Sequence, residues 1–193
     1  MGKLSNEDGL ADTALKLLAK KRWADLTLGD VAKAAKIPLA QLQSLEGGKA
    51  ALVGLILKKL GAETARRYKP EKDSGSARDR IFDVAMIWFE VNQARKPALR
   101  SLYEGLKFDP LTLIAMRAEF AAAGSWLLAL AGADTGSLLS IRAAGLALIM
   151  ARAIPVWLDD DAEMAKTMAQ LDGDLLRAEN IANMRRGEPK PEA

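Results

Sequence analysis

Cysteine and histidine are both absent from the 193 residues. That removes disulfides, thiol and imidazole nucleophiles and the usual zinc sites. Aromatic residues make up only 5% of the chain. Long apolar runs are lacking too: the longest, Ala143 to Ala151, is far short of the ~20 residues that span a bilayer. The N-terminus has no apolar core of the secretory type, and period-2 alternation, the mark of a half-buried strand, appears nowhere. Nor is there a Gly-rich phosphate loop, a nucleophile elbow or a spaced set of metal ligands. These absences predict an all-helical, cytoplasmic protein that is not an enzyme and needs neither cofactor nor metal.

What is present is helical periodicity on a globular composition, with half the residues hydrophobic. The net charge of +3 is unevenly spread. Residues 1 to 69 hold 13 Lys and Arg against 7 Asp and Glu, net +6, whereas residues 70 to 193 hold 15 against 18, net −3. A basic N-terminal part joined to a near-neutral remainder suits a module that meets phosphates. The same Lys20, Lys21, Arg22, Lys58, Lys59, Arg66, Arg67 and Lys69 would also serve as a solvated helical surface.

Ser5 is a good N-cap for a first helix carrying Leu10, Ala11, Ala14, Leu15 and Leu18, and Trp23 with Leu26 would pin that helix to the next segment. From Thr27 to Leu52 the chain reads as two short helices and the start of a third. Thr27 with Asp30 makes a capping box, and Leu28, Val31, Ala32 and Ala35 share one face. Lys36 and Ile37 break the pattern. Pro38 is tolerated at a new helix start, and Leu39, Leu42 and Leu45 repeat every third residue. Two such helices across a short turn form a helix-turn-helix, whose second helix is offered to the major groove.

On these residues the chain resembles the TetR family of bacterial transcriptional regulators: Leu26-Thr27, Asp30-Val31-Ala32, Ala35, Ile37, Leu42, Lys49 and Leu52 match the family pattern. Lys36 stands where glycine is usual, and Gln43, Leu45 and Glu46 replace the usual tyrosine, histidine and phenylalanine. The resemblance implies a dimeric, ligand-responsive regulator, a repressor in its commonest form, bound to a palindromic operator in double-stranded DNA. Its DNA-binding set is Thr27, Lys36, Pro38, Gln41, Gln43, Ser44 and Lys49. Gln41, Gln43 and Ser44 are the expected base readers, since Gln pairs bidentately with adenine, and Lys49 the expected phosphate anchor.

The predicted organisation has about nine helices. A helix-turn-helix domain covers 1–52, a connecting helix and linker 53–76, a helical effector-binding and dimerisation domain 77–186, and a disordered tail 187–193. The linker is the charged, Pro/Ser/Gly-rich stretch Lys69 to Ser76. Beyond it, Ile81 to Val91 and Pro97 to Leu106 read as helices, Asp109-Pro110 opens another that runs to Leu130, and two long helices, Ser137 to about Leu158 and Asp160 to about Arg186, close the chain. Asp159, Asp160 and Asp161 are expected to cap the last. The small residues Ala143, Ala144, Gly145, Ala147 and Ala151 suit either a buried core helix or, by the TetR resemblance, a homodimer interface.

TetR-like proteins hold a small ligand between the helices of the second domain. The residues expected to line such an apolar cavity are Trp88, Tyr103, Met116, Phe120 and Trp126, with Asn92, Gln93 or Arg142 as polar handle. A second resemblance lies further on. Pro155-Val-Trp-Leu-Asp-Asp-Asp161 and Thr167-Met-Ala-Gln-Leu-Asp172 are similar to the C-terminal part of the TetR-like lipid-binding accessory proteins of coenzyme Q biosynthesis. That alternative implies an isoprenoid lipid and a membrane as partners, with Leu175, Leu176, Ile181 and Met184 beside Arg177, Arg185 and Arg186 as a basic amphipathic face.

Overall fold

The computed structural model describes residues 2–42, 47–70, 75–136 and 138–186, with side chains from Glu7 to Met184 in those ranges. Among the described residues there are ten α-helices, two short 3-10 turns and no strand. Gln43, Ser44 and the tail from 187 lie outside them.

Helices α1 (Gly2–Leu18), α2 (Leu28–Ala35), α3 (Leu39–Leu42) and the start of α4 (Lys49–Arg67) build the N-terminal head. Helix α1 begins at Gly2, ahead of the expected Ser5 cap. The Thr27–Asp30 capping box forms in full: the Thr27 hydroxyl accepts from the Asp30 N–H, and the Asp30 carboxylate accepts from the Thr27 N–H. Leu10, Ala14, Leu18, Val31, Leu42, Leu52 and Ile56 are buried together, so even the four-residue α3 is pinned by Leu42. Lys59 of α4 reaches Asp12 of α1 at 3.1 Å and adds an ionic tie.

The remainder comprises α5 (Ala77–Val91), α6 (Lys96–Lys107), α7 (Pro110–Ala115), α8 (Arg117–Leu130), α9 (Leu139–Asp159) and α10 (Ala165–Arg186). Ser76 caps α5 with a second capping box to Asp79, and Asp109 caps α7 through the Thr112 N–H. The stretch expected to be one helix from Asp109 to Leu130 is two, divided at Met116. Helix α9 packs between α8 and α10. A Cβ added at Gly124 of α8 would lie 2.1 Å from the Ala143 carbonyl oxygen, so glycine there sets the α8–α9 approach. By length and composition α9 could cross a membrane. Its apolar run looks short in the sequence because Arg142 and Arg152 bound it. In this structure one face is packed, with Ala153 and Trp157 fully buried, and the other is exposed at Ile141, Gly145 and Leu148.

The final joint differs from expectation. Helix α10 begins at Ala165, not Asp160, because Met164 takes a left-handed conformation at φ 56°. Of the three aspartates, Asp160 accepts from both the N–H and the hydroxyl of Thr167 at 2.8 Å, capping α10 from before the turn. Asp161 accepts from the Glu163 and Met164 N–H groups, and Asp159 pairs with Arg100. Trp157, Thr167 and Leu171 are buried beside this joint. Trp157, Asp160, Thr167 and Leu171 thus serve the turn of α9 into α10, whereas Asp172 pairs with Arg78 of α5.

Head and body share one apolar core. Trp23 packs on α6, where a Cβ on Gly105 would come within 2.4 Å of the Trp23 Cβ. The Ser101 hydroxyl donates to the Lys21 carbonyl across the same joint.

Candidate functional site

The head presents α3 at its surface after the turn Lys36-Ile37-Pro38. Pro38, Leu39 and Gln41 are exposed there, and the Pro38 carbonyl accepts the Gln41 N–H. Lys36 closes α2 in the left-handed conformation, φ 57° and ψ 40°, its N–H reaching the Ala32 and Lys33 carbonyls. That backbone suits glycine, the residue usual at this point in the TetR pattern. Thr27 is committed to its cap.

The cations of the head divide into two groups. Lys21 donates to Asp30 at 2.7 Å and Arg22 to Asp25 at 2.8 Å. The Lys21 hydrogen bond, with those from Thr27, holds the Asp30 pKa down at about 2. Lys20, Lys33 and Lys36 are exposed and make no side-chain hydrogen bond or ion pair among the described residues. Lys49, the expected phosphate anchor, turns inward. Its ammonium donates to the Trp23 carbonyl at 2.6 Å and sits 4.2 Å above the indole ring. Burial pushes its pKa down, against the raising influence of Asp109 and Asp25. A phosphate contact from Lys49 would require leaving Trp23.

In the body, α4, α5, α6, α7, α8 and α9 line a cavity of about 600 Å³ that opens to solvent, within the ~300–1,000 Å³ usual for small-ligand sites. Trp88, Tyr103 and Phe120, three of the expected lining residues, meet there with Val53, Ile56, Leu57 and Leu60 of α4. Ala144, Ala147 and Ala151 of α9 are in its wall as well, so their small size makes room for the cavity.

Other expected lining residues lie elsewhere, each for a local reason. Met116 is fully buried where α7 meets α8. Trp126 covers Gly61 and borders a smaller cavity of about 370 Å³. Asn92 is fully buried, donating to the Trp88 carbonyl and accepting from Arg95. Arg142 donates to the Ala133 and Thr135 carbonyls and closes the α8–α9 turn. The ionisable groups in the cavity wall are Lys107, Arg117 and Arg152 together with Tyr103. Sequence periodicity misses these three cations because they come from α6, α8 and α9, and no local pattern records where distant helices converge.

A three-helix head with a helix-turn-helix, a fourth helix shared with an apolar cavity, and a body of packed helices together define the TetR-like fold. Among solved structures, a TetR transcriptional regulator from Rhodococcus sp. RHA1 matches this chain with a TM-score of 0.63. The match covers 91% of this chain and 96% of that one, at 14% sequence identity. Comparison of the sequence with protein-family models and with curated proteins gives no match.

Proposed function

We propose that this protein is a DNA-binding transcriptional regulator that responds to a small apolar ligand and acts as a cytoplasmic homodimer on a palindromic operator. The observation that carries this reading is the double role of α4. Val53 and Ile56 belong to the buried core that holds the head, and the same two residues border the cavity. A ligand filling the cavity presses on the helix that carries the head, which is how occupancy would reach α3. Lys20, Lys33 and Lys36 supply the phosphate contacts; Gln41, with Gln43 and Ser44, reads bases. The exposed faces of α9 and α10, with Ile141, Gly145, Leu176 and Met184, supply the dimer contact.

The experiment is binding of the full chain to the DNA upstream of its own coding sequence, with a scrambled fragment as control. Preferential binding that falls with salt supports the reading, and equal affinity for both fragments ends it.

One observation favours the lipid-carrier alternative: with Lys49 turned onto Trp23, the described part of α3 and its flank present few free cations, while the cavity is almost wholly apolar. A carrier needs the cavity and no operator. An isoprenoid lipid extracted from the purified protein, together with no DNA preference, would select it.

A further inference from the structure

We infer that the cavity takes an anionic amphiphile, a single apolar chain bearing a carboxylate or phosphate head that is held by Arg117 and Arg152. The inference rests on the reading of the cavity as a ligand site and adds the charge of the ligand.

Every charged residue in the cavity wall is basic: Lys107, Arg117 and Arg152. They are not equally available. Lys107 donates to both carboxylate oxygens of Glu104 at 3.1 and 3.3 Å and lies 4.5 Å over the Tyr103 ring, so its charge is matched. Arg117 has no hydrogen-bond or ion-pair partner among the described residues. It is the first residue of α8, an end where the helix dipole disfavours a cation, and it is exposed where the pocket opens to solvent.

Arg152 is engaged by one atom only. Its Nε donates to Asp174 Oδ2 at 3.0 Å, while the same carboxylate also accepts from Arg177 at 2.8 Å and Gln170 at 2.7 Å. Asp174 is buried. Burial pushes its pKa up, but the hydrogen bonds from Arg152 and Gln170 and the charge of Arg152 outweigh it and keep it ionised below the usual carboxylate range. One carboxylate shared by two guanidinium groups leaves a positive charge over. It also orients Arg152 through Nε, so both terminal nitrogens remain for a ligand, the fork that suits a carboxylate or phosphate. Arg117 and the Arg152–Asp174–Arg177 cluster thus each carry one net positive charge beside a pocket otherwise lined mainly by apolar side chains. The Tyr103 hydroxyl, also without a partner among the described residues, adds a neutral donor.

A neutral or cationic ligand would leave these exposed guanidinium groups to water alone. An anionic head placed on them with its chain among Leu57, Leu60, Leu102 and Leu148 satisfies both halves of the wall. Asp174 is then a positioning residue, acting through Arg152.

The test is calorimetric titration of the delipidated full chain, below micellar concentrations, with dodecanoate, dodecyl phosphate, 1-dodecanol and dodecyltrimethylammonium. At least one of the two anions should bind about tenfold or more tightly than the alcohol, as charge-assisted hydrogen bonds imply; which anion wins separates a free fatty acid from a phosphate-headed lipid. The double substitution Arg117→Gln and Arg152→Gln should remove most of that preference while leaving the alcohol unchanged. Ala147→Phe should block all chain binding. Alcohol or ammonium binding as tightly as both anions, or a preference that survives the double substitution, would overturn the charge inference and leave the ligand-site reading standing. No binding by any of the four overturns both. If the double variant does not fold, the four-ligand comparison on the unmodified chain decides alone.

Discussion

Replacing Lys36 by glycine should move two measurements in opposite directions. Lys36 sits at φ 57° and ψ 40°, a region that costs an L-residue roughly 1–2 kcal/mol. Glycine escapes that cost but loses more backbone entropy on folding, roughly 0.5–1 kcal/mol. The net stabilisation is about 0.5–1 kcal/mol, and for a chain of this size it raises Tm by about 1–4 °C. The same change deletes an unpaired cation beside α3. Each phosphate contact contributes about 0.9 to the slope of log K against log salt, so a dimer losing two Lys36 contacts should show a slope about 1.8 shallower. Lys36→Gln separates the effects, because it removes the charge and keeps the backbone strain: its Tm should stay near that of the parent while its slope falls equally. Thermal unfolding by circular dichroism and a salt series of fluorescence anisotropy read the two quantities. A glycine variant that melts lower would refute the backbone argument, and a slope unchanged in both variants would remove Lys36 from the DNA contact.

Packing and charge give three further predictions. Gly124→Ala forces a Cβ onto the Ala143 carbonyl and should destabilise by about 1–3 kcal/mol. Gly9→Ala on the exposed side of α1, where an added Cβ meets nothing within 4 Å, should be neutral or stabilise by up to about 1 kcal/mol; urea unfolding compares them, and equal effects would contradict the α8–α9 geometry. Asp30 has its folded pKa depressed to about 2, so its contribution is present above the ordinary carboxylate value near 3.8 and is lost as pH falls from about 4 to about 2. Acid titrations of the parent and of Asp30→Asn should diverge above that window and converge at its lower end; parallel curves would sink the assignment. Ile141→Glu, on an exposed α9 residue outside the cavity wall, should yield a monomer by light scattering, and a dimer that persists would move the interface elsewhere.

Much of the head is legible in the sequence because its signals are local. The Thr27–Asp30 box, the Lys36-Ile37-Pro38 break and the apolar spacing of α2 lie within a few residues of one another, and the backbone there obeys them. The division at Met116 is not legible: the apolar spacing runs on through Phe120, and no Gly or Pro marks the break. The start of α10 is displaced from its expected place because Asp160 looks like an N-cap by spacing, yet its carboxylate reaches Thr167 only after Met164 has turned through a positive φ. In the cavity, Trp88, Tyr103 and Phe120 stand out as large apolar residues on amphipathic faces. Asn92 and Arg142 pass for handles since sequence does not record that nearby carbonyls already satisfy them. Arg117 and Arg152 escape notice for the complementary reason, as their places in one cavity wall depend on long-range packing.

The most direct measurement of the central claim is the affinity of the full chain for the DNA upstream of its own coding sequence, taken at about 50 and about 200 mM salt. With one phosphate contact each from Lys20, Lys33 and Lys36, a dimer would make about six contacts and show a slope near −5. Binding should be tighter than to scrambled DNA and should fall by about a thousandfold between the two salt concentrations. Affinity that is equal for both fragments, or flat with salt, would contradict that claim.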